Sequence, residues 1–229
     1  MSKPNLIILH GALGSEKQFF NLQSELSSEF QVHTFNFSGH GGKDFSNNFS
    51  IPQFTLELDQ FLSENKLQDV LIFGYSMGGY VALNLARTSK KISGVFTLGT
   101  KFHWSPESAA HEIKMLNPAK IEEKVPAFAT ALAERHFPLD WKEVMHRTAD
   151  LMINLGNNPL LTTNTFKEIT IPVTITRGTL DNMVSKEESE SAAHDIPNAK
   201  YIEFADFKHP IEQVDINKLA AKIRQELIN

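Results

Sequence analysis

Residues 70–79 read Val-Leu-Ile-Phe-Gly-Tyr-Ser-Met-Gly-Gly. Val70 to Phe73 is a short unbroken apolar run, which predicts a strand buried on both faces. Gly74-Tyr75-Ser76-Met77-Gly78 follows it as a G-x-S-x-G pattern, and Tyr80 to Arg87 reads as a helix. Between a strand and a helix this pattern has a mechanism. The sharp turn holds the serine in a strained backbone, so its hydroxyl stands clear above the end of the sheet. Residues two before and two after the serine must be small, because strand and helix crowd together there. Gly74 and Gly78 meet that need. Ser76 is the candidate nucleophile.

Working outward, the same rhythm of strands and helices recurs. Strands are predicted at Asn5–His10, Gln31–Phe37, Ile92–Leu98, Val173–Thr176 and Lys200–Phe204. Helices are predicted near 15–28, 51–65, 186–194 and 211–228, the second carrying Phe54, Leu58, Phe61 and Leu62 at helical spacing. From about Lys101 to Phe166 no strand pattern occurs. Helix-like segments near Pro106–Leu116, Ala119–His136 and Leu139–Leu155 are broken at Pro118, Pro138 and Gly156. The fold class expected is α/β: a six-stranded, mainly parallel sheet with helices on both faces. The insertion is too long for a plain crossover, so 101–166 is expected as a helical cap on a core of 1–100 and 167–229.

Bulk properties narrow the function. The 229 residues are 41% hydrophobic with 17 Phe, enough for a sizeable core. A formal charge of −5 with no long run of either sign argues against a nucleic-acid groove or an anionic membrane surface as partner. The absence of cysteine excludes a Cys nucleophile and thiolate metal sites. Leu6–Leu9 is too short for a signal segment and no stretch approaches a membrane span, so a cytoplasmic protein acting on a small molecule is expected. No H-x-x-x-H or H-E-x-x-H pattern occurs, and neither a metal nor a cofactor is expected. The oligomeric state is left open.

A serine hydroxyl is a weak nucleophile that needs a base beside it and a third group to orient the base. In such sheets the working residues follow the strands. Strand five leads into Arg177-Gly178-Thr179-Leu180-Asp181, and strand six into Ala205-Asp206-Phe207-Lys208-His209. Asp181 and His209 thus occupy the posts of acid and base, in the order Ser…Asp…His. Asp181 is also a plausible turn or cap residue, and Asp206 is a nearer competitor on His209's own loop. Two backbone donors are expected for the oxyanion: the N–H of Met77, and that of Ala12 in the loop after strand one. Tyr75, Trp104, Phe128 and Trp141 are candidate substrate contacts, although most apolar cap residues should simply pack helix on helix. Arg135, His136 and Arg147 suit a substrate carboxylate, but such residues more often lie on a solvated outer face.

Gly74-Tyr75-Ser76-Met77-Gly78-Gly79 resembles the nucleophile elbow of the α/β-hydrolase superfamily. His10-Gly11-Ala12-Leu13-Gly14-Ser15 resembles its oxyanion loop, and Ser38-Gly39-His40-Gly41 the loop after the next strand. Gly178–Asp181 and Lys208-His209-Pro210 resemble its acid and histidine loops. Two departures stand out: the two antiparallel strands that usually open the fold are missing, and Lys208 replaces the usual Gly before the histidine. The resemblance implies a serine hydrolase acting on a small ester or thioester. A C–C hydrolase or a lyase similar to that of the menaquinone pathway uses the same machinery. That lyase binds a multiply anionic substrate through several arginines, whereas this cap offers Arg135 and Arg147. A non-catalytic ligand-binding protein on the same fold is the alternative outside enzymes. A nucleotide-binding protein fits poorly, since G-x-G-x-x-G and the phosphate-loop lysine motif are both absent.

Overall fold

The computed structural model describes residues 3–228. Six strands form one sheet: β1 (Asn5–Leu9), β2 (Gln31–Thr34), β3 (Val70–Tyr75), β4 (Ile92–Leu98), β5 (Val173–Gly178) and β6 (Ala199–Phe204). Their order is β2-β1-β3-β4-β5-β6 and every pairing is parallel. The order reverses beside β1, so the loops after β1 and β3 open at the crevice where ligands of such sheets bind.

Side chains alternate across β1 and β3 and so feed two cores. Ile7, Leu9, Val70 and Ile72 pack beneath α2 (Ile51–Glu64) and α3 (Met77–Ala86). Leu6, Ile8, Phe73 and Tyr75 pack beneath α1 (Phe20–Leu26) and the C-terminal helix (Ile216–Leu227). Helix α2 starts where Ser50 accepts the Gln53 N–H, and it buries Phe54, Leu58 and Leu62 along one stripe. Burying each such side chain contributes about 1.5–3 kcal/mol.

Between β4 and β5 the chain is helical: α4 (Pro106–Glu112), α5 (Pro118–Lys124), α6 (Pro126–His136), α7 (Trp141–Asn157) and α8 (Thr163–Phe166). Helices α9 (Lys186–Asp195) and α10 (Ile216–Leu227) complete the layers.

Several boundaries differ from expectation, each for a physical reason. The strand expected to Phe37 ends at Thr34, because the Phe37 N–H turns inward to His10 Nε2 (3.2 Å). The single helix expected over Ala119–His136 is two, because Val125 precedes Pro126 and is excluded from helical backbone (ψ 58°). Gly156 does not end its helix but lies within α7. A Cβ there would sit 2.7 Å from both Ala109 Cβ and Ser105 O, so glycine is what lets α4 press onto α7. The segment starting at Ile211 is a 3₁₀ turn, and α10 begins later, at the Asp215 cap.

Candidate active site

Ser76 stands at the junction of β3 and α3 with φ 51° and ψ −118°. A non-glycine residue held there costs of order 1–3 kcal/mol and persists only where its surroundings fix it. They do so on both sides: the Ser76 N–H donates to Leu98 O (2.9 Å), and Thr100 Oγ1 donates to Ser76 O (3.0 Å). The flanking glycines are required by contact. A Cβ on Gly74 would lie 2.5 Å from Gly79 Cα, and one on Gly78 would lie 2.6 Å from Leu9 O.

Asp181 follows β5 and His209 follows β6, and the two meet. His209 Nδ1 lies 2.8 Å from Asp181 Oδ2. The carboxylate's other oxygen accepts the N–H groups of Met183 (2.9 Å) and Val184 (3.1 Å). Burial alone would push this carboxyl up, but the His209 hydrogen bond and those two N–H groups outweigh it and hold the group below its ordinary value. Arg177 Nη2 donates to Asp181 O (2.9 Å), fixing the loop from behind. Asp206, the sequence competitor, is exposed and gives its N–H to Thr179 Oγ1. Tyr75 does not line the cavity as expected. It is 7% exposed and donates its hydroxyl to His209 O (2.8 Å), so it braces the histidine's backbone.

The loop after β1 is a tight turn closed by the Gly14 N–H on Gly11 O (3.1 Å). Gly11 O also meets His10 Nδ1 (2.8 Å), while Nε2 of that ring accepts the Phe37 N–H. A trans peptide points its N–H opposite its C=O, so anchoring Gly11 O aims the Ala12 N–H the other way. Met77 opens α3, where a helix leaves its first N–H groups without intrahelical acceptors. Ala12, Ser76, Met77 and His209 all line one cavity of about 520 Å³, counted with its open mouth.

The rest of that lining comes from both layers. Trp104, Leu151, Met152 and Leu155 come from the insertion, and Ile51, Tyr80, Met183 and Val184 from the core. Trp104, a candidate contact from the sequence, lies in this lining, its ring fixed by Nε1 donating to Lys101 O (3.2 Å). Trp141 and Phe128 are not in the lining. Trp141 is buried among Ile121, Ala129, Leu132 and Met145 in the insertion's own core, and Phe128 faces outward at 42% exposed. Leu151 and Leu155, four apart on α7, line the cavity although neither was named as a contact from the sequence, and their helical spacing is the signal that could have found them. Lys101 and Glu112 carried no such signal. Lys101 Nζ lies 3.2 Å from Glu112 Oε1 and 3.9 Å from Glu188 Oε2, and both Lys101 and Glu112 reach the cavity wall. Burial pushes the Glu188 carboxyl up to about 7.

Arg135, His136 and Arg147 are not a carboxylate-reading set. Arg147 pairs with Glu143 (2.7 Å) and lies over the Phe45 ring. Arg135 and His136 instead turn their side chains onto Leu13 O, in the loop after β1. Among the described residues no cluster of His, Cys, Asp or Glu is placed to hold a metal ion, and no helix is long and apolar enough to cross a membrane.

The sequence model of the α/β hydrolase fold matches residues 4–141. A pimeloyl-[acyl-carrier protein] methyl ester esterase of Aromatoleum aromaticum is 33% identical over 113 residues, 48% of this chain and 43% of that protein. The sn-1-specific diacylglycerol lipase ABHD11 of Xenopus tropicalis is 26% identical over 153 residues, 63% of this chain and 47% of that one. The chain thus spans under half the length of the curated relatives it matches. In backbone, MenH from S. aureus superposes with a TM-score of 0.80 at 21% identity, covering 100% of this chain and 95% of its own.

Proposed function

The chain belongs to the α/β-hydrolase fold family, and from that premise we propose that it is a serine hydrolase cleaving small-molecule esters or thioesters. The observation that carries the proposal is the 2.8 Å contact of His209 Nδ1 with a saturated, buried Asp181, on the rim of the cavity that Ser76 also faces. Asp181 keeps the proton on Nδ1 and leaves Nε2 free to act as base. Ser76 Oγ attacks the acyl carbon as His209 takes its proton. The negative oxygen is held by the Ala12 and Met77 N–H groups. His209 then protonates the departing alcohol or thiol, leaving an acyl-serine. A water enters, His209 removes its proton, and collapse of the second tetrahedral intermediate frees the acid and Ser76.

The electrostatics of the cavity favour an uncharged acyl group over the multiply anionic substrate that a lyase of the menaquinone type would need. Lys101 is the one lysine or arginine in the lining among the described residues, and it is engaged by Glu112. A para-nitrophenyl ester series of increasing chain length, run on wild type and Ser76→Ala, tests the proposal. The expected result is turnover of neutral esters that the variant loses. Equal rates for the two proteins would refute it.

A further inference from the structure

Three features converge on Leu13, the residue after the proposed oxyanion donor Ala12. Its backbone is left-handed at φ 56°, a conformation costing a non-glycine residue roughly 1–2 kcal/mol. Its carbonyl accepts from two side chains of α6: Arg135 Nη1 at 2.9 Å and His136 Nε2 at 3.1 Å. Its own side chain packs against the insertion's apolar core of Ile121, Ala129, Leu132, Trp141 and Met145. A strained turn is therefore held from above, by a segment distant in sequence.

His136 is the centre of this hold. It is fully buried, and its Nδ1 accepts the Gly41 N–H (3.1 Å), which places the ring proton on Nε2 for Leu13 O. One imidazole thus ties the loop after β1 to the loop after β2. Burial lowers its pKa to about 4, so the acceptor lone pair persists near neutrality. Arg135 extends the hold, since its Nη2 lies 2.9 Å from Glu212 Oε1, three residues beyond His209.

We propose that His136 is a positioning residue for the oxyanion hole, making the 101–166 insertion part of the catalytic apparatus as well as a roof over the substrate. This rests on the serine-hydrolase proposal above. Without the ring, the Leu13 turn relaxes toward right-handed backbone and the Ala12 N–H drifts from the point where charge develops. Such a drift weakens transition-state binding and leaves ground-state binding nearly unchanged.

The test compares wild type, His136→Ala and His136→Gln on para-nitrophenyl butyrate, with a trifluoromethyl ketone as transition-state mimic. In His136→Ala, kcat is expected to fall about ten- to a hundredfold with KM nearly unchanged, and inhibition by the ketone to weaken by a similar factor. His136→Gln, whose amide carries both a donor and an acceptor, is expected to recover most of the loss. Unchanged kcat in a folded His136→Ala protein would overturn the proposal. So would a loss confined to KM, or a glutamine variant no better than alanine at equal melting temperature. Should His136→Ala fail to fold, His136→Leu removes both ring hydrogen bonds while keeping the site filled. A roughly tenfold or larger fall in kcat at constant KM then supports the proposal, and an unchanged kcat overturns it. A wild-type protein with no ester turnover and no fluorophosphonate adduct on Ser76 would instead be a failure of the hydrolase proposal, and would remove this one with it.

Discussion

Ser76 and Asp181 show how far single residues announce themselves. The serine was legible because Gly74 and Gly78 flank it at the spacing that contact demands, and both glycines prove to have no room for a Cβ. The candidate acid could be read only by order along the chain, since nothing in Thr179-Leu180-Asp181 separates a carboxylate that meets His209 from one in a plain turn. What separates it is three-dimensional: the oxygens of Asp181 are shared between the His209 ring and two backbone N–H groups. Asp181→Asn preserves that shape but favours the wrong histidine tautomer, and kcat is expected to fall by about 10³–10⁴ while the melting temperature moves little. Trp104 gives a second test, because it lines both the cavity that Ser76 and His209 face and a neighbouring groove bounded by Pro159, Leu161 and Phe166. Removing the ring joins the two. In a para-nitrophenyl series the optimum of Trp104→Ala is expected to shift to longer acyl chains, and an unmoved optimum would show that the indole does not limit the pocket.

At the scale of elements, the sheet was readable, and the insertion was readable as helical but not in how its helices divide and face. Val70 to Phe73 is a short apolar run of the kind a strand buried on both faces uses, whereas the bounds of α4 to α6 and of α8 are set by capping and proline. Pro126 divides what periodicity alone joined, and Gly156, a breaker by composition, sits inside α7 because α4 presses against it. Gly156→Ala is therefore expected to lower the melting temperature by roughly 2–10 °C, from an overpacking cost of about 1–3 kcal/mol. Calorimetry checks this, and an alanine variant as stable as wild type would mean that the α4–α7 contact yields freely. Trp141 was misplaced for the same reason. A large aromatic on a helix of the insertion reads identically whether it faces a ligand or the insertion's own core, and here Leu132 and Met145 claim it.

Across the whole molecule, the junction of insertion and core is built on neutral histidines. His10, His40 and His136 are fully buried, with ring centroids 4.9 Å apart for the first pair and 5.9 Å for the second. Burial lowers the pKa of all three, His10 and His136 to about 4. Their pKa values when folded lie below the unfolded value near 6.5, so the unfolded chain binds more protons between about pH 6.5 and 4. Stability is present in full above 6.5 and falls as pH drops through that window, by about 1.4 kcal/mol per pH unit for each such proton. Glu188, raised to about 7 by burial, works in the opposite sense but is one group against three. Thermal unfolding is expected to move steeply down from pH 7 to 4.5, and less steeply in His40→Gln if that variant folds. A flat profile would mean that these rings are hydrated or charged in the native protein. The convergence of Ser76, His209 and Asp181 is tested most directly by mass spectrometry after fluorophosphonate treatment. The expected result is a single adduct on the peptide containing Ser76, absent from Ser76→Ala and strongly reduced in His209→Ala. A wild-type protein that stays unlabelled beside a labelled control esterase, or an adduct that persists undiminished without His209, would contradict it.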